Sequence, residues 1–155
     1  LTTTIKFLEK TRIPMKKSLT LPLLLSLVLI TPLTTQGKEE IAIKRVVDGD
    51  TFLVSAPFLP KEVKQQMYLR LSNIDTPNIK RWANCDREAE LGIKAKQYAE
   101  NAVNSGKVTI KLVGMDKYNR LLGMVFINKT SLSDLLIKNK LARPYYGGKK
   151  QSWCH

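Results

Sequence analysis

From Ile41 to Val47, and again from Thr51 to Ser55, β-branched and apolar residues dominate, with Asp48 and Gly49 between the two runs. An Asp-Gly flanked in this way predicts a β-hairpin. Gln65 to Ser72 alternates, sending Met67, Leu69 and Leu71 to one face and Tyr68, Arg70 and Ser72 to the other. That period of two predicts a third strand and keeps Arg70 off the apolar face. The segment between them, Ala56 to Lys64, contains Pro57 and Pro60 and reads as loop.

The period then changes. Leu91, Ala95, Tyr98 and Ala102 recur at helical spacing, which predicts a helix from about Arg87 to Asn104, capped by Asp86. Glu88 and Glu90 suit its electropositive N-terminal end, and Gly92 weakens it modestly. Val108, Ile110 and Leu112 alternate as a fourth strand. Leu121 to Ile127 forms a fifth across a turn with Lys117, Tyr118 and Asn119, the last suited to a left-handed backbone. Ser131 caps a short helix, Leu132 to Asn139, with Leu132, Leu135 and Leu136 inward. Beyond Leu141 the chain is an aromatic, Gly- and Lys-rich tail. The order β-β-β-α-β-β-α lacks any βαβ alternation and predicts an α+β fold, mainly β. A five-stranded OB-type barrel, closed or nearly so, with the first helix over one opening, fits residues 38–155.

Ahead of this domain, Met15, Lys16 and Lys17 open a stretch in which Leu19 to Leu33 is almost wholly apolar and carries Pro22 and Pro32. Such a segment reads as a secretory signal peptide rather than an anchor, cut near Gly37 and Lys38, with Met15 as the natural start and residues 1–14 as an over-extended frame. The exported protein is then expected to be secreted or periplasmic, with no stable membrane anchor. The full chain has 26 Lys and Arg against 13 Asp and Glu; without residues 1–37 the totals are 21 and 12, a net charge of +9. A polyanionic partner is favoured, because basic side chains that neutralise phosphates release condensed counterions. Solubility alone and an acidic membrane surface are the other readings of that charge. Cys85 and Cys154 are the only cysteines. In an oxidising compartment they are expected to form a disulfide. Two free thiols or a metal site are the rivals, although two sulfurs and the single His155 are too few for an ordinary structural zinc site.

Candidate chemistry sits between Val46 and Arg120. Asp50 and Asp75 offer hard oxygen ligands to a divalent cation, and Arg70 and Arg120 offer planar forks of donors to a phosphate. DGDT alone is a turn, a lone DTP is loop punctuation, and two arginines by themselves are surface ion pairs. In the order VDGDT, LRL with IDTP close behind, DKYNR and a late LARPYY, however, the chain resembles the staphylococcal nuclease family across about Ile41 to Tyr146. That resemblance implies a calcium-dependent nuclease acting on DNA and RNA with little base preference. It carries calcium ligation to Asp50, Asp75 and the Thr76 backbone carbonyl, with Asp48 further out. Phosphate binding passes to Arg70 and Arg120, and contact with the nucleotide to Tyr118 and to Tyr145 or Tyr146. Packing over the rim is the ordinary alternative for each tyrosine.

Two departures follow from the same comparison. Asn78 stands where the family has a glutamate that orients or deprotonates the attacking water, and an amide cannot accept that proton at neutral pH. Either Glu88, Glu90 or Asp86 swings in, or hydroxide on calcium attacks unaided, or activity is impaired. A catalytically inactive nucleic-acid-binding OB module is therefore the alternative function. The tail after Tyr146 is also shorter than in longer relatives, and the expected disulfide would substitute for their extra helix. A monomer is expected. Asn128-Lys129-Thr130 fits a glycosylation pattern but spans a predicted tight turn, and Gly147 to Lys150 reads as solvated tail, with contact to a phosphate backbone as the alternative.

Overall fold

The computed structural model describes residues 40–155 apart from Val63, so the expected leader, with its start at Met15 and its cut near Gly37 and Lys38, lies outside the described residues. The VDGDT stretch joins β1 (Ile43–Val46) to β2 (Thr51–Ser55) as an antiparallel hairpin, and β2 pairs with β3 (Gln66–Leu71). The alternation in β3 is realised: Leu69 and Leu71 are buried, Tyr68 is exposed, and Arg70 is half-buried on the opposite face. A short β4 (Ile74–Asp75) and a 3₁₀ turn (Lys80–Trp82) lead into α1 (Asp86–Asn104). Then come β5 (Val108–Met115), β6 (Leu121–Ile127), β7 (Thr130–Ser131), α2 (Leu132–Lys138) and β8 (Arg143–Pro144).

The fold is α+β and mostly sheet. Its main sheet runs β1-β2-β3-β6-β5, with β7 added to β6 and a separate β4-β8 pair. No closed barrel is found among the described residues: β1 and β5 each pair on one side only. The exposure of β5 agrees with an edge position, since it is exposed from Lys111 to Met115 and its register slips between Leu112 and Gly114. Leu112, which alternates with Val108 and Ile110, is exposed where those two are half-buried. Within the sheet, the β3–β6 pairing is parallel, setting Leu69 opposite Leu121 and Arg70 opposite Leu122. Arg120, just before β6, is thereby brought to the same end as Arg70.

Phe52, Val54, Leu69, Leu71, Val125, Leu132 and Leu136 form the centre of the core. Each such fully buried side chain contributes roughly 1.5 to 3 kcal/mol. Ser131 caps α2 as expected, its hydroxyl accepting from Asp134 N at 3.2 Å. The start of α1 differs from the expectation. Cys85, not Asp86, is the N-cap, its sulfur accepting from Glu88 N at 3.5 Å, and the Cys85–Cys154 disulfide is formed.

The buried stripe of α1 also differs, comprising Glu88, Gly92, Ala95 and Ala99, while Tyr98 and Ala102 pack at the margin of the core. The reason is close backbone approach. A methyl group on Gly92 would stand 2.7 Å from the Asn78 carbonyl carbon and 2.9 Å from Pro77 O. Gly49 has no left-handed backbone, unlike the glycine of a two-residue hairpin turn; its value is size, because an added Cβ would lie 2.7 Å from Ala95 Cβ and 3.1 Å from Thr76. Both acidic turns therefore rest on the smoothest part of α1. Gly92→Ala is expected to destabilise the protein by about 2 kcal/mol in denaturant titration. The opposite sign, the gain of roughly 1 kcal/mol that alanine gives in an open helix, would show that the loop yields freely.

Candidate active site

Arg70 lies at the centre of the cluster. Its Nη1 donates to Asp50 Oδ1 at 2.6 Å, its Nη2 donates to Ile74 O at 3.2 Å, and Nη2 also lies 3.8 Å from Asp75 Oδ1. One guanidinium thus bridges two carboxylates from separate turns. Asp50 is almost fully buried and takes a further bond from Thr51 Oγ1 at 2.9 Å. Burial pushes its pKa up to about 6, against the opposing pull of Arg70, and the neighbouring Asp48 adds to the rise. Asp48 closes its own turn, accepting from Asp50 N at 3.1 Å.

Asp75 is held from the other side. β4 pairs with β8, which sets Asp75 opposite Arg143, and Trp153 Nε1 donates to Asp75 Oδ2 at 3.1 Å. Oδ1 is buried and takes no directed hydrogen bond, although Lys150 Nζ forms an ion pair with it. The tail expected to be solvated is thus engaged with a candidate ligand. Thr76 is buried beside it.

Arg120 belongs to the turn before β6. Asp116 holds it through Nε and Nη2, both 2.7 Å from Oδ2, and also caps the turn through the Tyr118 and Arg120 amides. The modest cost of burying Asp116 is outweighed by the bonds from Arg120 and Tyr118, so its pKa falls below the usual 3.8. Asn119 adopts the expected left-handed backbone, φ 59°. Tyr118 is 68 % exposed, with the Arg120 guanidinium 5.5 Å from its ring centre, and Tyr146 is 84 % exposed. Tyr145 instead donates to Gly148 O at 2.9 Å and is half-buried. Asp48, Asp50, Arg70, Thr76, Asn78, Tyr118, Arg120, Tyr145 and Tyr146 all line one open cavity of about 660 Å³. Asp75 borders an adjoining cavity of about 670 Å³, which shares Asn78 and Lys150 with the first.

Asn78 has a fixed orientation. Its Nδ2 and backbone N donate to Glu88 Oε1 at 2.9 and 3.2 Å, while Asn84 Nδ2 and N donate to Glu88 Oε2 at 2.8 and 2.7 Å. Burial alone would raise the Glu88 pKa; these four donors outweigh it and hold the carboxylate below its usual 4.5. Glu88 is therefore a fully bonded anchor, not a base free to swing toward water. Glu90 and Asp86 are exposed on the outside of α1. Sequence reasoning assigned no role to Asn84 or Trp153, contained Asp116 only as the first residue of DKYNR, and placed Lys150 in the tail without linking it to Asp75. Only the aspartate four residues before Arg120 carried a local signal.

Among the described residues, no three His, Cys, Asp or Glu side chains cluster closely enough to hold a metal ion by themselves. Two carboxylates and an arginine beside a basic rim can nevertheless take a cation together with a phosphate, whose oxygens complete the set of ligands.

The sequence model of the family described as Staphylococcal nuclease homologue matches residues 68–153. The chain is also similar to three proteins of Bacillus subtilis (strain 168). With Endonuclease YhcR it shares 32 % identity over 122 residues, which is 74 % of this chain and 10 % of that protein. With SPbeta prophage-derived endonuclease YokF it shares 34 % identity over 110 residues, covering 69 % and 34 %. With Endonuclease YncB the identity is 30 % over 121 residues, covering 75 % and 54 %. The chain thus spans between a tenth and about half the length of these relatives. The matched region runs from Tyr68 in β3 to Trp153, taking in Arg70, Asp75, Arg120 and more than half of the chain, and the protein belongs to the staphylococcal nuclease family.

Proposed function

We propose that this chain is a calcium-dependent nuclease that hydrolyses phosphodiester bonds of DNA and RNA with little sequence preference. It is exported behind a cleaved leader, to the periplasm or medium, and works as a monomer. The observation that carries the reading is the Arg70 guanidinium spanning Asp50 and Asp75 at a cavity that also takes Arg120. The three relatives are named endonucleases, which supports it.

The donor set fits a hard cation. Asp75 Oδ1 is buried without a directed hydrogen bond, and Asp50 is reluctant to ionise even beside Arg70; both gain from further positive charge. Asp50, Asp75 and the Thr76 carbonyl would hold calcium, with Asp48 further out. Once bound, calcium supplies Lewis-acid charge to the phosphate oxygens and favours ionisation of a nearby water. The arginines add preorganised donors where negative charge grows as the water oxygen bonds to phosphorus and one ester P–O bond breaks. Lysine would not reproduce that planar fork. Tyr118 and Tyr146 offer faces for a base to stack on. Asn78 orients water through its amide oxygen but takes no proton, so the proton passes to solvent and turnover is slow. A nucleic-acid-binding module without turnover is the second reading, favoured by the bond that ties the Asn78 amide to Glu88.

Heat-denatured DNA and RNA incubated with the exported protein are expected to be degraded in calcium and spared in chelator; equal digestion in both would remove the metal from the mechanism. Arg70→Ala and Arg120→Ala should each lower the rate by roughly 10² to 10³ while far-UV circular dichroism stays unchanged. Asn78→Glu is expected to raise kcat at least about tenfold by restoring a proton acceptor, and to lower stability because two carboxylates then face one another at Glu88. No gain in rate would favour the binding module.

The charge on Asp50 gives a pH dependence. Its folded-state pKa of about 6 lies above the ordinary 3.8, so the native state binds the proton more tightly than the unfolded chain. Stability from this group is therefore greatest at low pH and falls as pH rises through 6. In calcium-free denaturant titrations the wild type is expected to lose roughly 2 to 3 kcal/mol relative to Asp50→Asn between pH 4 and pH 7.5.

A further inference from the structure

We propose that Trp153 is a positioning residue for Asp75, held by Arg143 and the Cys85–Cys154 disulfide, so that the C-terminal tail presets one carboxylate of the metal site. This rests on the calcium reading above. After β8 the chain passes through Gly147 and Gly148, both at positive φ, and comes back to the β4–β8 pair, where Ser152 meets Arg143 and Trp153 meets Asp75. Arg143 clasps the returning segment twice. Its Nη1 donates to Ser152 O at 2.8 Å, and its guanidinium carbon lies 3.8 Å from the centre of the Trp153 ring. The next residue, Cys154, is bonded to Cys85 at the N-cap of α1.

Trp153 is therefore fixed on three sides: stacked on Arg143, buried, and covalently tethered through its neighbour. Its single N–H is aimed at Asp75 Oδ2. A carboxylate rotates through a broad torsion, and a lone donor on one oxygen selects one orientation and leaves the other oxygen available. Oδ1 is that oxygen. It carries no directed hydrogen bond and faces two cationic groups, the Lys150 ammonium in an ion pair and the Arg70 guanidinium at 3.8 Å, in the place where a cation would sit. Partners that hold a metal ligand from behind are worth 10- to 100-fold in affinity. The same disulfide secures the end of α1 from which Glu88 orients Asn78, so one covalent link reaches both halves of the site.

Packing and positioning can be separated, because phenylalanine fills most of the indole volume and still stacks on Arg143 but has no N–H. Calcium binding is measured by isothermal titration calorimetry on the exported protein, for wild type, Trp153→Phe, the Cys85→Ser/Cys154→Ser pair and Asp75→Asn. Trp153→Phe is expected to weaken calcium about tenfold. Its calcium-free melting temperature should stay within a few degrees, its kcat should recover at saturating calcium, and its KM for DNA should not change. The double serine variant should shift affinity in the same direction. Wild-type affinity in Trp153→Phe, with or without a loss of stability, would assign the tryptophan to packing and overturn the proposal while the calcium reading stands. Absence of binding in the wild type, or undiminished binding in Asp75→Asn, would overturn the calcium reading and this proposal with it.

Discussion

At Gly92 and Ala95 the inner face of α1 carries almost no side chain, and the turns bearing Asp50 and Asp75 lie directly against it. Gly49 wedges between Ala95 and Thr76, so the two turns also touch each other. A side chain added at Gly49 or Gly92 would overlap the facing atoms, so helix and turn could not keep their present contact. The helix acts as a flat plate against which backbone geometry is set, and the charged groups inherit their spacing from it.

On that plate four of the candidate residues have a partner remote in the fold or across a turn. Arg70 is held by Asp50, Arg120 by Asp116, Asn78 by Glu88 and Asp75 by Trp153. None of the polar side chains in this group relies on its rotamer preference alone. The cost of burying so many charges is offset in different ways. Glu88 collects four N–H donors and titrates low, whereas Asp50, with fewer, titrates high. The contrast separates a structural carboxylate from one that still seeks positive charge.

Much of the architecture was legible because it is local. Alternation in β3, the serine cap on α2, the left-handed Asn119 and the pairing of the two cysteines depend on neighbours in sequence or on elimination. What escaped depends on distant partners. Leu91 and Tyr98 mark a plausible apolar stripe on α1, yet the deepest positions belong to Glu88 and Gly92, because what covers that face is the Pro77–Asn78 backbone rather than apolar side chains. The tail looked solvated since its lysines and glycines are typical of exposed chain. Its attachment to Asp75 follows from the β4–β8 pairing, two residues long on each side and below the reach of any periodicity. Barrel closure was inferred from strand count, which says nothing about whether the exposed β5 finds a second neighbour.

The parallel pairing of β3 with β6 has a consequence for when the molecule becomes competent. Between Arg70 and Arg120 lie α1 and β5, so the two guanidiniums reach one cavity only after a long loop has been closed, among the slowest events in forming a sheet. Asp75 waits longer still, for a tail at the far end of the chain. A chain still emerging from synthesis would hold all the ingredients in order along its length and assemble none of them, so the cluster exists only as a product of the finished domain.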